Sequence, residues 1–355
     1  MYQYRSCPCE KMTLRTYIVS RILLTIPMIF ILLTTVFIIM RVLPGDPVLL
    51  HFEKAENLQA MTQMRIALGL DQPLWLQYVN YVVGLFRGDL GKSMQDFSPV
   101  SQQVFSAFPA TLELAIYSMI IAVAIGVILG VESSKDYNKP KDHVIRVFGI
   151  VTYAIPVFFL GMLFQLGFGV GLHWLPVGGR FNLSVPPPAG LSVGNVRLAT
   201  GLFTVDSLLE GNMFKFVTTL RYLLLPSLTL GLVLCGVFIR LTRSNMFETL
   251  RLDFVTAAKA RGLKDSTVTY GYALRNAFLP VLTMMGLQFA LLLGGAVLTE
   301  TTFSWPGLGS YLVARINFRD YTAIQGTVVV FGVLVSFVSL VVDIFYAYLD
   351  PRIRL

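Results

Sequence analysis

Residues Asp253–Thr283 read DFVTAAKARGLKDSTVTYGYALRNAFLPVLT, and the organisation of the chain follows from them. Lys259, Arg261, Lys264 and Arg275 lie in this stretch, with Arg243 and Arg251 just upstream, yet long apolar runs flank it on both sides. A polar, helix-prone connector of this length between two apolar runs does more than join them. The residues favour a loop on one face of a membrane, with the rest of the chain forming the spans it could move.

Composition supports that setting. The chain has 355 residues, 55% hydrophobic and 14% charged, with a mean hydropathy of +0.68. Soluble domains carry about 25% charged residues, so an integral membrane protein is expected. A net charge of +8 could suggest nucleic acid, but the distribution of the charge assigns the excess to membrane topology. Cys7, Cys9 and Cys235 cannot make a disulfide framework. Cys7-Pro8-Cys9 has no nearby Cys or His to complete a metal site and reads as an unstructured tail, with Met12 a possible start.

Six uncharged runs reach the roughly 20 residues a span needs: 22–40, 114–131, 147–172, 222–239, 277–299 and 321–342. The first is too long for a removable signal peptide and reads as a retained helix. Leu74–Phe86 is shorter and contains Gln77, Asn80 and Gly84, which predicts a helix along the membrane surface. An even number of spans puts both termini on one side. With that side cytoplasmic, 17 of the 28 basic residues fall in the inner pieces 1–21, 132–146, 240–276 and 343–355, as the positive-inside rule requires.

The outer pieces are unusual. Residues 41–112 contain Leu43-Pro-Gly-Asp-Pro47, Ala67-Leu-Gly-Leu-Asp-Gln-Pro73 and Arg87-Gly-Asp-Leu-Gly91, three turn clusters that divide the segment into short folded parts. Residues 173–221 carry Leu175-Pro-Val-Gly-Gly-Arg180 and Pro186–Pro188. Segments this long are seldom passive, and folded caps facing a partner or substrate are expected.

Pro109 and Thr111 are placed at the start of the second helix. Gly126 and Gly130, with Gly161, Gly167 and Gly171, suit close helix packing within the chain, and Pro27, Pro156 and Pro226 are candidate kinks. No internal repeat is visible, which weighs against an inverted-repeat secondary transporter. Glu113 and Asp343 sit at span ends, where solvation or pairing with a nearby base is favoured over substrate contact. Asp343 is expected to have a structural role at the cytoplasmic mouth, and Glu300 to face an outside partner. His51, His143 and His173 are scattered and form neither a metal site nor a catalytic dyad.

Within the opening stretch, Phe254–Gly262 predicts a short helix with Ala257, Ala258 and Ala260 exposed. Gly262 permits the turn, and 263–278 predicts a second helix ending near Pro280, which starts the next span. The result is a compact knob. Two readings stand on the residues alone: a knob inserted into a partner's groove, or an amphipathic hairpin held on anionic headgroups by its Lys and Arg.

Thr256-Ala-Ala-Lys-Ala-Arg-Gly262, followed after 11 residues by Leu274-Arg-Asn-Ala-Phe-Leu-Pro280, resembles the EAA loop of ABC-importer permeases, with the spacing of the peptide/nickel group. Leu43–Pro47, Leu68–Pro73, Gly88–Gly91, Glu300-Thr-Thr-Phe-Ser-Trp-Pro-Gly-Leu-Gly309 and Leu349-Asp-Pro-Arg352 match the same family in order along nearly the whole chain. The long segment after the first span is similar to the B-type subunit of dipeptide and oligopeptide systems. Thr256 stands where the classical motif has Glu.

The resemblance implies an all-α, six-span type I importer permease with both termini cytoplasmic and a large folded extracytoplasmic segment between the first two spans. Its parts would be a tail 1–21, the first span and outer segment 22–112, a core 113–349 with the coupling loop 253–280, and a tail 350–355. Thr256, Ala257, Ala258, Gly262, Arg275, Asn276 and Pro280 would contact an ATPase. The implied partners are a second, C-type permease as heterodimer, two ABC ATPases, an extracytoplasmic substrate-binding protein and the lipid bilayer. No nucleic acid, metal or cofactor is implied. The chain contains no G-x-x-x-x-G-K-[ST], so ATP hydrolysis is assigned to other subunits. The expected cargo is di- or oligopeptide, with oligosaccharides or nickel complexes as alternatives, carried through a prokaryotic cell membrane. An intramembrane enzyme or secondary transporter would need mid-span carboxylates or nucleophile–base pairs, and the six runs lack them.

Overall fold

A computed structural model describes residues 14–42, 58–67, 69–182, 184–193 and 196–349. The motifs Leu43–Pro47 and Leu349–Arg352, along with Cys7, Cys9, His51 and the outermost parts of both tails, lie wholly or partly outside those residues. Within them the helices are α1 (Leu14–Val42), α2 (Leu58–Ala67), α3 (Leu74–Phe86), α4 (Val100–Lys135), α5 (Pro140–Ala154), α6 (Val157–Phe164), α7 (Phe203–Leu209), α8 (Met213–Thr249), α9 (Asp253–Ala260), α10 (Leu274–Leu293), α11 (Val297–Thr302), α12 (Leu308–Asn317) and α13 (Tyr321–Leu349). The described residues also include two short antiparallel strands, β1 (Leu191–Val193) and β2 (Val196–Leu198). This small hairpin departs from the all-α expectation.

Among the described residues five helices are long and apolar enough to cross a membrane: Ile18–Arg41, Val100–Lys135, Met213–Thr249, Thr267–Leu293 and Tyr321–Phe345. The expected third span is not one straight helix. Pro140–Ala154 and Val157–Gly171 meet at 99°, because Pro156 has no N–H to continue the helix and holds Ile155 extended. The second piece passes into a π-helical turn at Gln165–Gly171. Pro27, Pro109 and Pro226 instead lie inside continuous helices. The second helix therefore begins at Val100, ahead of the start expected at Pro109–Thr111.

The centre of the fold is α4 against α8. Gly126 lies under Phe238, Gly130 under Thr242, and Gly231 meets Ile121 so closely that a Cβ would sit 2.8 Å from its methyl. The pair Gly126/Gly130 thus serves packing within the chain, where backbones approach because no side chain intervenes. Leu114, Met119, Leu223, Leu230 and Phe238 fill the seam, and α10 adds Val281, Leu292 and Leu293.

A second layer is α1 against α13, with Leu33, Val36 and Val329 buried between them. The surface helix α3 has the expected bounds and no buried residue. It leans on α1 through Tyr78, which stacks edge-on with Phe37 at 5.2 Å and bonds Thr34 at 2.7 Å. Leu23, Ile31 and Ile128 remain more than half exposed, as lipid-facing helices allow.

Replacing Gly126 by Val is expected to force α4 from α8 and to cost about 1–3 kcal/mol of stability by overpacking. Gly167→Ala, where a Cβ meets nothing within 4 Å, is expected to leave the thermal midpoint of the purified protein unchanged. Equal midpoints for the two variants would contradict this packing.

Candidate functional site

The connector between α8 and α10 forms the hairpin expected from its sequence. Helix α9 ends in two bonds of a Schellman turn: Gly262 N–H to Lys259 O at 2.9 Å and Leu263 N–H to Ala258 O at 3.4 Å. Gly262 takes φ +75°, a backbone state that costs other residues energy. A side chain there would meet nothing within 4 Å, so this point of the surface is open.

The return limb is continuous with the span. A π-helical segment Thr267–Ala273 runs directly into α10, and Pro280 lies inside that helix. The break expected at Pro280 is absent. The lost amide bond affects only one turn, and the helix carries on to Leu293.

The hairpin has a buried side and an exposed side. Val255, Ala258, Val268, Ala273 and Ala277 pack with Val131 of α4 and Met246 of α8. Ala258 is thus buried, contrary to the expectation that it is displayed. Its place one turn from Val255 puts both on the inner face. Thr256, Ala257, Lys259, Ala260, Arg261, Gly262, Arg275, Asn276 and Pro280 are exposed.

Polar contacts fasten the buried side. Tyr270 donates to Glu132 of α4 at 2.8 Å, and Lys135 reaches Glu132 at 2.6 Å while lying 4.5 Å over the Tyr270 ring. Alongside, Asp142 of α5 takes both Arg243 bonds of α8 at 2.7 Å, the Asn138 N–H at 3.0 Å and the Ser133 hydroxyl. Tyr137 stacks on Phe247 at 4.0 Å. The ends of α4, α5 and α8 and the hairpin therefore form one connected block. Asp343 pairs with Arg21 at 3.4 Å, joining α13 to α1.

A second constellation lies around the start of α12. Glu300 is fully buried, so it does not face outward as expected. Its carboxyl accepts from Thr111 at 2.6 Å and from the Ser310 N–H at 2.9 Å, capping α12. Gly307 and Gly309 lack side chains where a Cβ would strike that carboxyl. Burial pushes the Glu300 carboxyl up from the usual range, against the opposing pull of Thr111 and the Ser310 and Gly309 amides. The hydroxyl of Thr111 also accepts from Leu308 N–H at 2.8 Å, and Trp305 donates to Ala110 O at 2.8 Å. The Glu300–Gly309 motif is thus a cap and wedge seated on α4.

Glu113, one turn along α4 from Ala110, is buried and paired rather than solvated. Arg180 approaches its Oε2 at 2.7 and 3.1 Å, and the Thr204 N–H and hydroxyl reach its Oε1 at 2.7 and 2.8 Å. The Arg180 guanidinium lies 3.8 Å over Phe203 and donates to Gly201 O at 2.6 Å. Asp320 caps α13 through Ala323 N–H at 3.1 Å and accepts from the Ser93 hydroxyl and the Met94 N–H, binding the segment before α4 to the start of α13. Asp96, on the same segment, loses affinity for its proton: burial raises its pKa, but Ser98, Ser93 and Arg315 outweigh that and bring it to about 2. Glu113 meets Arg180 across 67 residues and Thr204 across 91, and Asp320 meets Ser93 across 227, separations that local sequence pattern does not reveal. A lone carboxylate at a span end and a lone arginine in a turn cluster were the available signals. Among the described residues no group of three His, Cys, Asp or Glu could hold a metal ion.

Comparison with known proteins agrees with this architecture. The sequence model described as "Binding-protein-dependent transport system inner membrane component" matches residues 122–355, and that of the corresponding N-terminal component matches residues 14–115. The chain is 37% identical over 338 residues to the dipeptide transport system permease protein DppB of Alkalihalophilus pseudofirmus, covering 95% of this chain and 99% of the relative. It is 41% identical over 318 residues to the probable D,D-dipeptide transport system permease protein DdpB of Escherichia coli, covering 89% and 91%. The glutathione transport system permease protein GsiC of Salmonella choleraesuis is 37% identical over 338 residues, covering 95% and 98%.

Removing one member of the buried Glu113–Arg180 pair strands the other charge. Arg180→Met is expected to cost about 3–5 kcal/mol, read as a lower thermal midpoint. Combining it with Glu113→Gln is expected to recover part of the loss. A single variant as stable as the parent would remove the pair from the account.

Proposed function

The chain belongs to the binding-protein-dependent transport system inner membrane components, and from that premise we propose that it moves peptides through the membrane by alternating access driven from the 253–280 hairpin. As a member it is the permease subunit of an ABC importer, a transport protein of the inner membrane that works with a substrate-binding protein and ATPases. Di- and oligopeptides are the proposed cargo, since relatives are named for dipeptide, D,D-dipeptide and glutathione transport. These names favour peptides over oligosaccharides and nickel complexes.

One observation carries the mechanical reading. The hairpin shows small exposed residues on one side, is packed on the ends of α4 and α8 on the other, and continues without a break into the span Thr267–Leu293. A load applied to that ridge passes into three spans at once. Thr256, Ala257 and Gly262, with Arg275, Asn276 and Pro280, form the proposed contact surface for an ATPase, while Ala258 anchors it from beneath. The full assembly is one such permease, a second permease of the other type, two ATPase subunits that hydrolyse ATP, and the external binding protein. ATPase closure would tilt α4, α8 and α10 between two discrete packings.

Charge supports the sidedness. The hairpin and the Glu132–Asp142 cluster lie in the basic-rich pieces assigned to the cytoplasm. Both termini share that side, and 41–112 and 173–221 face outward, where the binding protein docks. Residues 22–112 add the first span and an outer cap to the core 113–349.

Gly262→Trp and Ala257→Trp both put bulk on the exposed ridge, the second with ordinary helical backbone. Each is expected to lower peptide uptake and peptide-stimulated ATP hydrolysis of the reconstituted importer more than tenfold, roughly the effect of 1.4 kcal/mol or more, with normal membrane insertion. Parental transport by both variants would remove the hairpin from the coupling role.

A further inference from the structure

Helices α5 and α8 cross where two glycines meet, with the Gly149 carbonyl against Gly236. Beside this crossing is a cavity of about 630 Å³ whose lining includes Tyr137, Arg146, Ile150, Tyr153, Arg240 and Arg243. Its volume falls within the roughly 300–1,000 Å³ of small-molecule sites. Three guanidinium groups border it, and no carboxylate is among the lining residues.

The three arginines differ in their commitments. Arg243 is held by Asp142 at 2.7 Å and lies 4.9 Å over Tyr137. Arg146 and Arg240 are exposed, and neither makes an ion pair or side-chain hydrogen bond among the described residues. Two uncommitted guanidinium groups beside one cavity invite an anion, and their forked donors match phosphate oxygens. Apart from Asn138, the remaining wall is apolar or aromatic, with Ile150, Val237 and Ile239 beside the two tyrosines. Outside it α5 leaves Val144, Val147 and Val151 between 48% and 68% exposed. A free phosphate or nucleotide has no use for that surface, whereas acyl chains do. Tyrosines at the boundary suit headgroup depth.

We propose that the cavity between α5 and α8 is a binding site for an anionic phospholipid, with the phosphodiester on Arg146 and Arg240 and an acyl chain along the exposed apolar side of α5. Basic pockets between membrane helices are the recurrent solution for such headgroups. Selection against zwitterionic lipid follows from the lining, which has no carboxylate to receive an ammonium group. The proposal rests on the reading that these helices cross the bilayer, and on neither the sidedness nor the coupling role of the hairpin. Because α5 is tied to α8 by the Asp142–Arg243 pair, a bound lipid would brace the same block on which the hairpin sits.

The test uses the whole importer in mixed micelles of phosphatidylglycerol and phosphatidylcholine, with lipid retained after washing measured by mass spectrometry. The parent is expected to retain phosphatidylglycerol in excess over its share of the micelle. Arg146→Gln or Arg240→Gln should each weaken apparent affinity about fivefold, and the double variant about 25-fold, with phosphatidylcholine unaffected. The double Arg→Lys variant keeps the charge without the forked donors and should bind between the parent and the double Gln variant, and Lys139→Gln, a charge loss elsewhere on this face, should keep all of the binding. Thermal midpoints equal to the parent's show that the Gln variants fold, and the Lys pair provides a second folded comparison. Undiminished phosphatidylglycerol on the double Gln variant would overturn the proposal. So would displacement by inorganic phosphate alone, or no selective retention by the parent together with crosslinking of Ile150→Cys to the second permease. Neither peptide uptake nor ATP hydrolysis enters the readout, so a failure here is distinct from a failure of the coupling assignment.

Discussion

The glycine-mediated contact of α4 with α8 is the constraint on which the other parts depend. In a bilayer no hydrophobic force brings two apolar helices together, so association rests on close packing and hydrogen bonds. Gly126, Gly130 and Gly231 let the helix backbones touch, and the long apolar side chains around them fill the seam. Each helix projects beyond the central crossing, to Lys135 and Thr249 at one end. Those projecting ends, which an apolar-run criterion misses, carry the hairpin.

The carboxylates around this pair cluster at its two ends and are hydrogen-bonded there. At one end Glu132 and Asp142 bind Tyr270, Lys135 and Arg243. At the other, Glu113 and Glu300 bind Arg180, Thr204, Thr111 and the α12 amides. Buried charges left unpaired are costly, so both clusters favour discrete arrangements over gradual deformation. That property suits a protein that alternates between two states.

Much of this was legible in the sequence. Five of the six apolar runs fall on the helices long enough to cross a membrane among the described residues, and the remaining run falls on the bent pair; α3 has its expected bounds, and the hairpin around Gly262 is legible in its small residues. What escaped detection has physical causes. Hydropathy measures lipid exposure, so it stopped at residues 131 and 239 although the helices continue as polar helices past them. Pro27, Pro156 and Pro226 are equal candidates for a kink in the sequence, yet of the three only Pro156 breaks its helix. The pattern alone does not rank them, since neighbouring helices and side chains can absorb a lost bond. Ala258 was misplaced because small residues suit both a ridge and a core, and only the position of Val255 on the same face separates the two. The pairing expected for Glu113 is present, but its partner Arg180, like the Thr111 that holds Glu300, lies far away in sequence.

In the proposed coupling, the hairpin and the span Thr267–Leu293 move as a single rigid body driven by the ATPases. Spin labels at Ala260 and Leu291, both exposed or lipid-facing, would report the separation of the ridge from the far end of that span in the assembled importer. The account predicts one narrow distance distribution, unchanged between nucleotide-free and ATP-bound states. A distribution that shifts or splits on ATP binding would show the hairpin hinging against its span and would contradict it.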